Sequence, residues 1–168
     1  NDAYQAGVRA FVVSEHFDAS PFSEACFIQV ADTLVALQKL AAYHRAQFSY
    51  PVIGVTGSNG KTIVKEWLYQ LLSPDFSIVR SPRSYNSQIG VPLSVWGMKP
   101  THTLAIFEAG ISKPGEMDKL AKIIRPTIGV FTTLGPAHSE GFTDRSHKMK
   151  EKFKLFEGAV RPDRVRLE

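Results

Sequence analysis

The chain is 168 residues long, 43% hydrophobic and 11% aromatic, which suffices for one ordinary buried core with part of a second domain attached. Twenty Lys and Arg against 16 Asp and Glu give a net charge of +4. The basic residues are scattered, neither in a run nor interleaved with aromatics, so no nucleic-acid footprint is legible and a small anionic ligand fits at least as well. No apolar stretch approaches the ~18 to 20 residues of a membrane span, and no basic-then-apolar signal peptide opens the chain.

In chain order, the β-branched runs 8–13 and 26–30 predict two strands joined by a polar, proline-containing loop. The lone cysteine, Cys26, lies among Ala25, Phe27 and Ile28; it cannot form an internal disulfide and is expected to be a buried structural thiol in a reducing compartment. Asp32 is a candidate N-cap, and Leu34, Leu37, Leu40, Ala41 and His44 fall on one helical face, predicting a linking helix to about residue 46. Strands are then expected at 51–55, 76–79, 103–107 and 128–132, with helices at 61–72, 91–96, 115–124 and 146–156 between and after them. Strands apolar throughout and separated by helices indicate an α/β, doubly wound parallel sheet covered on both faces, with its ligand at the carboxyl ends of the strands. Both ends read as cut, from Asn1-Asp2-Ala3-Tyr4 to a tail at 161–168 whose last two residues could derive from cloning, and an excised fragment is the expectation.

The strongest local signal is Gly54-Val55-Thr56-Gly57-Ser58-Asn59-Gly60-Lys61-Thr62, after a strand and opening a helix. Gly57, Ser58, Asn59 and Gly60 can turn backbone N–H groups toward phosphate oxygens, where the helix N-terminus adds a favourable dipole. Lys61 can reach the terminal phosphates, and the Thr62 hydroxyl can ligate magnesium. The loop departs from the common phosphate-loop pattern: Val55 stands at the first glycine position and Gly54 comes one residue early. Glu108 follows the 103–107 strand and places a carboxylate at the same sheet edge, where phosphoryl-transfer sites hold magnesium. His138 lies past the 128–132 strand; a lone loop histidine is usually a surface residue, but three strand ends meeting on one edge favour a site role. In the last helix Lys148, Lys150, Lys152 and Lys154 could be one solvated face. At about 100° per residue, however, Lys152 projects nearest to an expected buried stripe of Met149, Phe153 and Phe156, and Lys154 points away. A lysine beside an apolar face gives up its proton more easily.

With these residues in place the chain resembles the Mur ligases, through residues 56–62, 85–93 (Tyr-Asn-Ser-Gln-Ile-Gly-Val-Pro-Leu), Phe107-Glu108-Ala109-Gly110 and residues 137–142, a likeness covering about 50–158. The asparagine-to-proline run favours the branch that adds D-alanyl-D-alanine. The resemblance implies ATP and Mg2+ as cofactors, with Thr62 and Glu108 on one magnesium ion and His138 on a second. Lys152 matches a lysine carbamylated in the family, its carbamate helping to hold the second ion, and Asn86 matches an asparagine near the nucleotide. It further implies a UDP-N-acetylmuramoyl-tripeptide and D-alanyl-D-alanine as partners, an acyl-phosphate intermediate, a cytoplasmic bacterial enzyme and a monomer. Residues 1–45 would be the end of the UDP-substrate domain with its linker helix, and 46–160 part of the ATP-binding domain. On that division the fragment by itself would be inactive. Alternatives are another Mur ligase, a folylpolyglutamate synthetase-like ligase, or a non-catalytic nucleotide-binding module, for which a Lys152 exposed and remote from His138 would speak.

Overall fold

In a computed structural model the described residues are 2–135, 142 and 144–158. His138 and the tail 161–168 lie outside them. The chain forms two compact units, Asn1–Leu37 and Gln38–Glu168, dividing inside a helix. The sequence reading placed the division later, at the end of that helix.

The first unit contains α1 (Asp2–Gln5), which the sequence did not suggest, and the parallel strands β1 (Ala10–Ser14) and β2 (Cys26–Val30), paired from Ala10↔Cys26 to Ser14↔Val30. Its apolar contacts are aromatic: Phe27 lies 5.4 Å from both Phe11 and Phe17, and Tyr4 meets Phe22 edge-on at 5.2 Å. The expectation of a buried Cys26 is corrected, because the thiol is exposed. A pleated strand turns alternate residues to opposite faces, and in β2 the aromatic face carries Phe27 while Cys26 and Ile28 point the other way, both exposed.

Helix α2 (Thr33–Ala46) opens as expected, with Asp32 Oδ1 accepting from the backbone N–H groups of Leu34 (2.8 Å) and Val35 (3.0 Å). Its buried positions are Gln38, Ala41 and Arg45 rather than the full apolar set, and Leu40 is exposed. Arg45 is buried because its guanidinium satisfies a helix end: Nε and Nη2 donate to the carbonyls of Ile124 (2.8 Å) and Arg125 (3.0 Å) at the C-terminus of α5 (Glu116–Ile124). Desolvation there lowers its pKa.

The second unit is built on four parallel strands, β3 (Val52–Thr56), β4 (Ile78–Arg80), β5 (Leu104–Glu108) and β6 (Ile128–Phe131), in the order β4-β5-β3-β6. Helix α3 (Lys61–Leu72) connects β3 to β4, α4 (Gly90–Trp96) connects β4 to β5, and α5 connects β5 to β6. The chain moves one way along the sheet through α3 and the other way through α4 and α5, so right-handed crossovers put α3 on one face and the other two opposite. The cores agree. Ile53, Val55, Leu104 and Ile106 pack with Val64, Leu68 and Leu72 of α3, whereas Val52, Ala105 and Phe107 pack with Val91, Val95, Met117, Leu120 and Ile124. After β6 come α6 (Arg145–Phe153) and a 3-10 turn (Lys154–Phe156) whose Leu155 and Phe156 join that second core. In register, Val55 faces Glu108 on one side and Thr56 faces Phe131 on the other, so three strand ends open at one edge.

Candidate nucleotide-binding site

The loop between β3 and α3 is shaped by glycine. Gly57 has φ 146, and a Cβ there would overlap the Thr132 hydroxyl, so this position takes no side chain. Gly60, the N-cap of α3, has φ 79 and offers no side-chain cap, leaving the first N–H groups of the helix for an external acceptor. The segment after β6 braces the loop: Ser58 N donates to Thr133 O at 2.7 Å, Ser58 Oγ to Gly135 O at 3.1 Å, and Thr132 Oγ1 to Asn59 O at 2.6 Å.

Glu108 ends β5 fully buried. Its Oε2 accepts from Thr62 Oγ1 at 3.1 Å and Asn86 Nδ2 at 3.3 Å. Its Oε1 makes no hydrogen bond among the described residues and is held by the charge of Lys65 Nζ at 3.0 Å. Asn86 is fixed in turn, since its carbonyl accepts from Gly110 N at 2.8 Å and a Cβ on Gly110 would lie 2.8 Å from Asn86 Oδ1.

Three ammonium groups converge on the loop. Lys61 Nζ donates to Gly57 O (3.1 Å) and Ser58 O (3.2 Å), Lys152 Nζ to the same Gly57 carbonyl (3.1 Å), and Lys148 Nζ to Gly135 O (2.9 Å). Burial lowers the pKa of Lys61; Glu108 opposes that shift and Lys148 adds to it. Burial, then repulsion by Lys61 and Lys148, brings Lys152 down to about 8. Neighbouring ammonium groups destabilise one another's charged form, and the open helix end beside them supplies backbone amides for an anion.

The sequence-predicted residues Gly57, Ser58, Asn59, Gly60, Lys61, Thr62, Asn86, Glu108 and Lys152 therefore stand together at one sheet edge, while His138 lies outside the described residues. The reason given for Lys152 needs correcting. Met149 and Phe153 are each 40% exposed, and the buried face of α6 carries Lys148, Glu151 and Lys152, each at most 6% exposed, with Phe156 alone of the expected stripe buried. Lys152 is inside because that face meets the phosphate loop and the N-terminus of α5, where Glu151 accepts from Gly115 N at 2.8 Å. Lys154 does point away, to Asp118 (2.9 Å) and Glu151 (2.7 Å), which raise its pKa. Two residues at the site were not picked out from the sequence: Lys65, and Lys148, which was read only as part of a possible solvated face. Each lies four positions from a recognised lysine, on the same helical face as Lys61 and Lys152 respectively, and that spacing was the available signal.

The donors suit the groups implied. A carboxylate and a hydroxyl sharing one contact are hard oxygen ligands for magnesium, although among the described residues no cluster of three His, Cys, Asp or Glu side chains is present.

The family profile of the Mur ligase middle domain matches residues 55–165. The UDP-N-acetylmuramoyl-tripeptide–D-alanyl-D-alanine ligases of Bacillus subtilis and Synechocystis are 33% and 40% identical to the chain, over 93% and 81% of its length and 34% and 30% of theirs. Among solved structures, MurF from Acinetobacter baumannii superposes with a TM-score of 0.80 at 29% identity, over 94% of this chain and 40% of that one. MurF from Thermotoga maritima in complex with ADP gives 0.77 at 30% identity, over 92% and 42%. The chain thus spans about a third of the length of the curated relatives it matches. That profile covers more than half of the chain, and the chain belongs to the Mur ligase middle-domain family.

Proposed function

We propose that this chain is the ATP-binding part of a cytoplasmic bacterial ligase, acting as a monomer, that joins D-alanyl-D-alanine to UDP-N-acetylmuramoyl-tripeptide in peptidoglycan synthesis. The observation that carries this reading is Lys152, buried with its Nζ 3.1 Å from the Gly57 carbonyl of the phosphate loop. A nucleotide switch requires the loop and a magnesium ligand but no second buried amine beside them, so this placement favours ligation chemistry.

In this reading the loop amides of residues 57–61 receive the β- and γ-phosphates of ATP, and Lys61 exchanges its contacts with Gly57 O and Ser58 O for phosphate oxygens. Thr62 and Glu108 would hold one Mg2+, and His138 with Lys152, once carbamylated, would hold a second. Magnesium supplies neutralisation of the charge that develops on the transferring phosphoryl group. A tripeptide carboxylate oxygen attacks the γ-phosphorus and ADP leaves, and the amine of D-alanyl-D-alanine then attacks the acyl carbon, losing a proton as phosphate departs. The side chains here align and neutralise, and none acts as a nucleophile.

The test is phosphate release by the full-length parent from ATP, omitting UDP-muramoyl tripeptide and D-alanyl-D-alanine in turn. Release is expected only with both, together with the ligated product. Equal release with a single amino acid in place of the dipeptide would move the protein to another branch, and ATP binding without release under any combination would make it a binding module.

A further inference from the structure

We infer that Lys65 is a positioning residue for metal binding: one buried ammonium group holds both Glu108 and the Asn86 loop, and so orients the carboxylate oxygen that faces Thr62. The inference rests on the reading of Thr62 and Glu108 as magnesium ligands.

Lys65 lies one helical turn beyond Lys61 and is fully buried, so it cannot itself touch a nucleotide. Its Nζ is surrounded by the carbonyls of Ser81 (2.8 Å) and Arg83, Glu66 Oε1 (3.1 Å) and Glu108 Oε1 (3.0 Å). The two Glu108 oxygens are therefore divided, Oε1 to Lys65 and Oε2 to Thr62 and Asn86. A carboxylate so divided cannot rotate without giving up its direct ion pair with Lys65 in a buried setting.

The same ammonium also fixes the segment that delivers Asn86. Ser81 accepts from Lys65 through its carbonyl, and its hydroxyl accepts from Glu108 N at 3.1 Å. Arg83 adopts φ 49, a left-handed conformation unfavourable for a residue that carries a Cβ, with its carbonyl turned to Lys65. Residues 81–86 thus approach Glu108 along a path that Lys65 holds at two carbonyls. Glu66 passes the network outward to Arg80 (3.1 Å), whose guanidinium lies 4.0 Å over the Tyr69 ring. Two cations and two anions alternate from surface to site, so the buried charges are compensated before any metal arrives.

Outer partners of this kind typically change metal affinity about 10- to 100-fold when removed. The experiment is calorimetric titration of the chain with ADP, with and without Mg2+, and the readout is the ratio of the two affinities. In Lys65→Gln, checked for folding by circular dichroism, that ratio is expected to fall about 10-fold or more. On a Glu108→Gln background, Lys65→Gln is expected to change the ratio no further, which a generally loosened fold would not produce. A second measurement needs no substitution at Lys65: the side-chain amine signal of Lys65 in 15N-lysine-labelled protein should shift when Mg2+ joins bound ADP, and should not in Glu108→Gln. A parental ratio in folded Lys65→Gln, additive losses in the double variant, or an unmoved Lys65 signal would each overturn the inference while leaving the ligand assignment standing. A parent chain that binds ADP with no gain from Mg2+ would overturn that assignment and the inference with it.

Discussion

At Lys152 burial and two neighbouring ammonium groups act on the same proton, and the folded-state pKa of about 8 against an ordinary 10.5 has a consequence for stability. Below pH 8 the folded state bears the full cost of the confined charge. Between about 8 and 10.5 the unfolded chain binds the extra proton, so stability rises with pH; above 10.5 the cost has gone. The shift corresponds to about 3 kcal/mol. Lys152→Met should therefore be more stable than the parent near neutral pH and show a flatter rise between pH 8 and 10.5, which urea unfolding across that range would measure. An unchanged slope would mean that the amine is not confined as described. The neutral amine is also the form that takes up carbon dioxide, so 13C-bicarbonate should yield a carbamate signal in the parent that is lost in Lys152→Ala. Gly110 offers a separate test of geometry. A methyl group there displaces Asn86 from Glu108, and Gly110→Ala should weaken ADP binding about 10-fold more in the presence of Mg2+ than in its absence.

Helix α6 and the turn that follows carry their charged and apolar contacts in different places. The helix directs Lys148 and Lys152 at the phosphate loop and Glu151 at α5, whereas the turn supplies Leu155 and Phe156 to the sheet. Phe156 lies so close over Gly129 that no side chain fits between them. Phe153 instead stacks on Phe131 at 5.0 Å with 40% of its surface exposed. Phe156→Ala should accordingly cost about 3 kcal/mol in urea unfolding, and Phe153→Ala about 1 kcal/mol. The opposite order would restore the apolar stripe expected from helical phase.

For the molecule as a whole, nucleotide binding and stability are linked through the second unit, which contains both tryptophans, Trp67 and Trp96. Tryptophan fluorescence therefore follows the unfolding of the unit that carries the loop. ADP with Mg2+ at a hundred times its Kd should stabilise that unit by about 2.7 kcal/mol and raise its midpoint. No shift at any attainable concentration, in a chain whose spectrum is folded, would remove the phosphate site.

The sequence by itself determined the alternation of strands and helices, the parallel sheet, and the placing of Gly57 and Glu108 at strand ends and of Lys61 and Thr62 at the start of a helix. These follow from local rules: apolar runs too uniform for an open face, and a glycine loop between strand and helix. Tertiary structure alone decided the strand order β4-β5-β3-β6, the path that brings Asn86 to Glu108, and the burial of Lys65 and Lys148. Local pattern treats a lysine as a residue for solvent, because the cost of burying its charge is offset only by carbonyls and carboxylates from distant parts of the chain. For Lys65 those partners lie on the 81–83 segment and at the end of β5, and for Lys152 on the loop after β3, 95 residues away. Periodicity along one helix cannot register them, and that is why the buried face of α6, read as Met149, Phe153 and Phe156, proved to carry charge.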